Sequence, residues 1–288
     1  MTCDKLANMI KLSLLCCVFS AGCQYGPSKD QSAFVSAMLM NDDNVIFSYQ
    51  NTVYKQAQGM AAFPDGGTQK YIRDRNIIGQ HNIKTGKTKI LLSENNRKWA
   101  HNQGHFQITH VKYPYAIAAQ GGQDRELIGS LYVDWLANIE TGKVTPIDTA
   151  GNLRNKGYKV VERHLADKEG TIVLIVNPLE SKSDDYKDGI SELWIRTSTG
   201  EYRKIAATWH YQTAEAGEII YWMLDTRQFM AYNLASGQTR NLPDYRVPPF
   251  SDIDKGVTLS SNRSTLKYGN KVNDKWEYTP LDIPVAGL

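Results

Sequence analysis

After residue 23 the chain contains no cysteine, since Cys3, Cys16, Cys17 and Cys23 are its only ones. Whatever folds beyond that point has no disulfide framework, no thiol nucleophile and no cysteine-based zinc site. Runs of Lys or Arg longer than two residues are also missing, so the clustered basic face of a nucleic-acid binder is not expected. Past the N-terminus no segment sustains a 3.6-residue apolar period, which leaves out long helices. Three catalytic signatures are absent as well: a Gly-rich phosphate loop, a Gly-x-Ser-x-Gly elbow and a His-Glu-x-x-His helix.

The one long apolar run is Leu12–Phe19, preceded by Lys5 and Lys11 and followed by Ser20-Ala21-Gly22. It is far shorter than the ~20 residues a bilayer crossing needs, and small residues follow where a signal peptidase cuts. Residues 1–22 are therefore expected to be an export signal. Gly26, Pro27, Ser28, Lys29 and Asp30 make residues 23–34 a tether, and residues 35–288 read as a single domain. Losing the signal lowers the formal charge from +3 by one. Cys23 directly after Ala21-Gly22 resembles the lipobox of bacterial lipoproteins, with Ser20 departing from the aliphatic residue usual three places before the cysteine. The resemblance implies lipidation of Cys23. Gln24, where Asp would favour the inner membrane, implies an outer-membrane anchor facing the periplasm. A soluble periplasmic or secreted protein is the alternative.

Strand signals fill the remainder. Short runs rich in β-branched and aromatic residues (Val45–Tyr49, Tyr115–Ala118, Thr171–Val176, Ile219–Met223) each precede a second run and then a Gly-containing turn. The turns are near-copies: Asn82-Ile83-Lys84-Thr85-Gly86-Lys87, Asn138-Ile139-Glu140-Thr141-Gly142-Lys143, Arg196-Thr197-Ser198-Thr199-Gly200-Glu201 and Asn233-Leu234-Ala235-Ser236-Gly237-Gln238. Glycine reaches the positive φ that a tight hairpin turn demands. Repeats of this length with about four strands each are the mark of propeller blades. A less regular unit over residues 257–279 makes a fifth. The fold expected is all-β, a five-bladed β-propeller of four-stranded antiparallel blades.

The strand-turn-strand pattern, with a fainter echo in Phe63-Pro64-Asp65-Gly66, resembles the blades of periplasmic TolB-like propellers. That likeness implies fold and no function. Two stretches interrupt the repeat, residues 51–75 and 178–190, and both read as long loops projecting from one rim.

One constellation points to catalysis. His105, His110, His164 and His210 lie in the segments expected to form the innermost strands of blades two, three and four, where residues remote in sequence converge on one axis. Glu162, Arg163, Gln107, Tyr211 and Gln212 sit beside them. Gly104-His105-Phe106-Gln107 is similar to a fragment that propeller-type oligogalacturonate lyases use around manganese. The unequal distance from each histidine to its following strand favours isolated scaffold histidines instead. Asp184, Asp185 and Asp188 miss the alternating spacing of a calcium loop and read as a solvated turn. Asp42, Asp43, Asp167 and Glu162 offer no pair that stands apart as a glycosidase couple. Trp99, Trp209 and Trp276 fall at strand edges or loop junctions, where sugar stacking or protein contact is possible, although packing between blades is the default for tryptophans in such strands. Trp99 and Trp209, with Tyr211, Arg73 and Arg75, are the candidate binding residues.

The function expected is a periplasm-facing lipoprotein that binds or scaffolds another envelope or periplasmic protein, an immunity-type inhibitor of a toxin being one form. It is expected as a monomer without a cofactor. The alternative is a polysaccharide lyase or glycoside hydrolase with a histidine-rich centre, holding a divalent metal. Replacing the lipidated thiol tests the anchor: a Cys23→Ser variant should leave the membrane pellet for the soluble fraction and lose palmitate labelling. Retention in the pellet overturns it.

Overall fold

Short β-branched and aromatic runs joined by Gly-containing turns fold into antiparallel hairpins, and these hairpins make up the architecture of the described residues. The structure is a computed structural model that describes residues 25–57, 69–95, 106–120, 134–147, 153, 155–179, 191–208, 210–215, 217–223, 225–247 and 253–285. Twenty strands form the secondary structure of these residues, with no helical element among them. The first sheet contains β1 (Tyr25–Asp30), β2 (Ala33–Asn41), β3 (Asn44–Ala57), β4 (Gln69–Asn82) and β5 (Thr88–Asn95). The second holds β6 (Phe106–Lys112), β7 (Tyr115–Gln120), β8 (Asp134–Asn138) and β9 (Lys143–Ile147). The third holds β10 (Tyr158–Leu165), β11 (Ile172–Pro178), β12 (Glu192–Arg196) and β13 (Tyr202–Ala206). In the fourth are β14 (His210–Glu215), β15 (Glu218–Met223), β16 (Gln228–Asn233) and β17 (Thr239–Leu242). The fifth is smaller, with β18 (Lys255–Leu259), β19 (Leu266–Val272) and β20 (Lys275–Pro280). Five antiparallel meanders in chain order are the blades of a β-propeller. The first exceeds the expected four strands by one and the last falls short by one.

The repeated turns close each sheet's outer hairpin. Gly86, Gly142, Gly200 and Gly237 take φ values of 67°, 71°, 94° and 69°. In three of the four an asparagine side chain mimics a backbone carbonyl. Asn82 Oδ1 accepts from Thr85 N and Oγ1 at 2.8 Å, Asn138 Oδ1 from Thr141 N at 3.0 Å, and Asn233 Oδ1 from Ser236 N at 2.8 Å. Each Gly N–H then donates to the carbonyl of that asparagine, at 2.8–2.9 Å. In the third turn Thr197 takes the place, its Oγ1 accepting from Glu201 N at 3.0 Å.

Apolar side chains on the second strands point alternately to the two neighbouring sheets. Val173 and Ile175 pack with Ile219, Tyr221 and Tyr232 of the fourth sheet. Ile172, Leu174 and Val176 pack with Ile117 and Leu136 of the second. Ile46 and Ile78 meet Ala116, Ala118 and Ala137, while Val45, Phe47 and Tyr49 meet Leu266, Leu281 and Ile283 beside the fifth sheet. The four clusters thus join fifth to first, first to second, second to third and third to fourth.

Contacts divide the chain into two compact units. One holds the described residues before 33 and those of 51–74; the other holds 33–50 and everything from 75 onward. In the smaller unit the expected tether is a strand: β1 pairs with the far end of β3, Ser28 opposite Lys55 and Asp30 opposite Val53. Gly26 and Pro27 read as linker, yet they fall in the register shift between Tyr25 and Ser28, where an edge strand tolerates a missing N–H. The expected loop 51–75 is also largely strand, since β3 runs on to Ala57 and β4 begins at Gln69. Polar pairs secure it: Thr52 Oγ1 donates to Asp74 at 3.2 Å, and Ser32 Oγ donates to Asn51 Oδ1 at 3.3 Å. Of the second expected loop, residues 180–190 lie outside the described residues.

Two glycines separate steric from conformational need. At Gly79 an added Cβ would overlap the ring of Phe47, which is fully buried. At Gly86 nothing lies within 4 Å, but φ is 67°. Gly79→Ala should cost about 1–3 kcal/mol from overpacking. Gly86→Ala should cost roughly 1 kcal/mol from its left-handed backbone. Urea melts of the two variants against the parent check both values.

Candidate functional site

The innermost strands β2, β6, β10 and β14 share an irregularity. Each slips register by one residue against its partner: between Phe34 and Ser36, Ile108 and His110, Val160 and Glu162, Tyr211 and Thr213. A bulge re-aims the side chains beyond it. Just past it come Ser36, His110 and Glu162, followed two residues later by Met38, Lys112 and His164.

His110 and His164 are therefore not equivalent positions, which accounts for their unequal spacing in the sequence. They nevertheless meet diagonally. Their ring centroids are 4.7 Å apart at 70°, and the His164 ring lies 4.7 Å from that of Tyr211 at 36°. A line of three rings thus crosses from β6 through β10 to β14. His164 Nε2 is 3.2 Å from Glu162 Oε2 on its own strand. Arg163 points the other way and forms an ion pair with Asp134, which is 4% exposed on β8. Lys112 Nζ donates to the carbonyl of Ala166 at 2.6 Å, and Ile108 N donates to Ser36 Oγ at 2.6 Å. These last ties stitch neighbouring inner strands together. Asp134, Ser36 and Lys112 had no signal in the sequence, because their partners are 29, 72 and 54 positions away.

Of the histidines, His110 is the most perturbed. Its Nδ1 is buried without a hydrogen-bond partner among the described residues. Burial first, then the positive charge of His164 and Arg163, lowers its pKa to about 4, with Glu162 opposing. At neutral pH His110 is an uncharged imidazole. Burial also lowers the pKa of His210, which sits opposite Trp222 at the start of β14. Adjacent strand residues project to opposite faces, so His210 is aimed away from Tyr211.

The nominated residues are thus only partly united. His110, His164 and Tyr211 come together in one line of rings. Arg73 and Arg75 are exposed on β4, one in each compact unit. His105, Trp99 and Trp209 lie outside the described residues. Among the described residues no three His, Cys, Asp or Glu side chains are disposed to hold a metal ion. What the cluster offers chemically is a neutral imidazole beside a histidine–carboxylate pair and a phenol, all within the inner strands.

No family model matches the chain, and no curated protein matches it. Among solved structures it is similar to an oligogalacturonate lyase in complex with manganese, at 11% identity and a TM-score of 0.37 over 85% of this chain and 63% of that one. It is also similar to TolB from Acinetobacter baumannii, at 10% identity and a TM-score of 0.28 over 81% and 56%. A nidogen/laminin complex gives 9% identity and a TM-score of 0.30 over 85% and 91%. The chain spans less than two thirds of the first two, and likeness at these identities concerns the fold alone.

The lowered pKa of His110 has a consequence for stability. Unfolding returns the imidazole to its ordinary value of 6.5, so between pH 6.5 and about 4 the unfolded chain binds more protons than the folded one. Stability should therefore fall as pH drops through that window, by on the order of 2 kcal/mol from this residue. His110→Gln should flatten the slope. Urea unfolding of parent and variant at pH 7 and pH 4.5 measures it; equal slopes contradict a buried neutral imidazole.

Proposed function

We propose that this chain is an exported binding propeller, held at the periplasmic face of the outer membrane by lipid on Cys23. It engages an envelope protein through the strand extension of its smaller unit. The observation that carries this reading is the extension itself, the one place among the described residues where a blade's hairpin outgrows the repeat. Ile72 is 52% exposed there and Tyr25 is 38% exposed. Lys70 Nζ stands 5.7 Å from the Tyr25 ring centroid, and Lys29 bonds Gln56 at 3.1 Å. Asp30 is engaged internally: hydrogen bonds from Ser32, with a smaller contribution from Arg73, hold its carboxyl below the usual range. An exposed aliphatic side chain two residues along β4 from Lys70, which itself stands by Tyr25, has the composition of a contact surface for an acidic partner. A toxin-neutralising role is one form this would take.

The axial cluster supports the second reading, a polysaccharide lyase or hydrolase, because a neutral His110 beside the Glu162–His164 pair has the elements of acid–base chemistry. The rings occupy one another's faces, however, and Arg163 is committed to Asp134 between sheets, so the binding reading is favoured.

Charge reversal separates the two. An Ile72→Asp/Arg73→Glu variant should lose at least tenfold in recovery of its partner from an envelope extract, with unchanged melting temperature. His110→Gln should retain it. Loss in His110→Gln with retention in the extension variant overturns the binding reading and favours the axial one.

A further inference from the structure

Strand alternation divides the fifth sheet into two unlike faces. Val257, Leu259, Leu266 and Tyr268 belong to the face that packs on the first sheet. The pairings put Gly256 and Thr258 of β18, Lys267, Gly269 and Lys271 of β19, and Trp276 and Tyr278 of β20 on the other. That second face is not a core surface. β20 is exposed along its whole length, with Trp276 41% and Tyr278 51% exposed.

The two rings lie flat on the sheet. Their planes are 15° from parallel and their centroids 6.0 Å apart. A Cβ on Gly269 would come within 2.8 Å of the Tyr278 ring and 3.0 Å of the Trp276 ring, and one on Gly256 would be 3.9 Å from Trp276. Gly256 and Gly269 face each other across the ladder, so the floor beneath the rings is bare backbone. The strip is flanked by Lys267 and Lys271, and Lys271 is 3.4 Å from Asp274 at the turn. The one acidic residue within the three strands, Glu277, is on the opposite face, paired with Asn270.

We propose that this face binds an acidic polysaccharide. Sugar rings present flat arrays of C–H bonds that suit the negative face of an aromatic ring. A chain of them repeats along an open strip, whereas a protein hot spot fills a desolvated pocket. The two lysines on the same face add point charges for the carboxylates or sulfates of such a chain. This site lies on the fifth sheet and does not depend on the extension of the smaller unit.

Affinity electrophoresis in native gels cast with polygalacturonate, dextran sulfate or neutral dextran tests it. The parent protein should be retarded by an anionic polymer and not by dextran; which of the two polymers acts distinguishes carboxylate from sulfate. Trp276→Ala keeps every charge and should weaken retardation about tenfold, the loss expected of an aromatic anchor. Lys267→Gln/Lys271→Gln touches no core residue, so it tests the site even if Trp276→Ala melts early. It should weaken binding and remove most of its salt dependence. Equal retardation of parent and Trp276→Ala would mean general charge attraction and overturn the proposal. So would no retardation by either anionic polymer, or retardation by dextran that matches theirs.

Discussion

Each second strand of the middle sheets is buried on both faces, and most of the structure follows from the need to cover them. In β11 the residues from Ile172 to Val176 are all buried, the even-numbered ones against the second sheet and the odd-numbered ones against the fourth. A single sheet with such a strand cannot exist in water, because half of its apolar side chains would be open whichever face it buried. Stacking is the only solution, and it fixes the order of sheets along the chain. Among the described residues, two faces are covered by none of the four apolar clusters: the far side of the fourth sheet and the far side of the fifth. The fourth shields its own with a local aromatic stack, in which Phe229 lies 4.8 Å from Trp222 and 4.9 Å from Tyr245. On the fifth, two glycines face each other and the aromatics stand open.

Where the sheets converge, the chain exchanges apolar residues for polar ones. The inner strands carry a bulge in four of the five sheets, and Ser36, His110 and Glu162 each follow one. Bulges interrupt ladder bonding, so the side chains around them take over the bonds between strands, as Ser36 does for Ile108 N. The histidines belong to the same region. His110 is neutral because it is enclosed and flanked by positive charge, and His164 mediates between it and Tyr211. A group with those properties contributes to packing at neutral pH and becomes a liability in acid.

Much of the fold was legible because its signals are local. The Asn-x-x-Thr-Gly turn contains both its donor and its acceptor within six residues, and the φ of its glycine follows from sequence alone. That turn and its near-copies, four in all, set the spacing of the blades, and the β-branched runs their second strands. What was not legible is whatever depends on register or on distance along the chain. A one-residue bulge leaves no trace in composition, yet one directly precedes His110 and another Glu162, and it is His164, two residues on, whose ring meets that of His110. The Arg163–Asp134 pair joins different sheets. Gly26-Pro27 and the stretch holding Gly59 and Pro64 look like linker or loop by content. The first proved to be the irregular start of an edge strand, and the second is flanked by the long arms of β3 and β4.

The fifth sheet shows how a local rule broken in sequence can mark a surface. Glycine inside a strand gives up side-chain packing and costs conformational entropy, about 0.5–1 kcal/mol each relative to alanine. Gly256 and Gly269 accept that cost side by side. An alanine at 269 would push both Trp276 and Tyr278 off the sheet, so the glycine is the condition for the rings to lie flat. Covering bare backbone uses one face of each ring and explains half of the arrangement. The other face of each ring remains in water, on a sheet whose opposite side packs on the first sheet through Val257, Leu259, Leu266 and Tyr268 and whose strip is flanked by two lysines, one of them beside Asp274. A flat apolar strip between lysines is an unfavourable way to end a stack of sheets unless something of matching shape and opposite charge lies upon it.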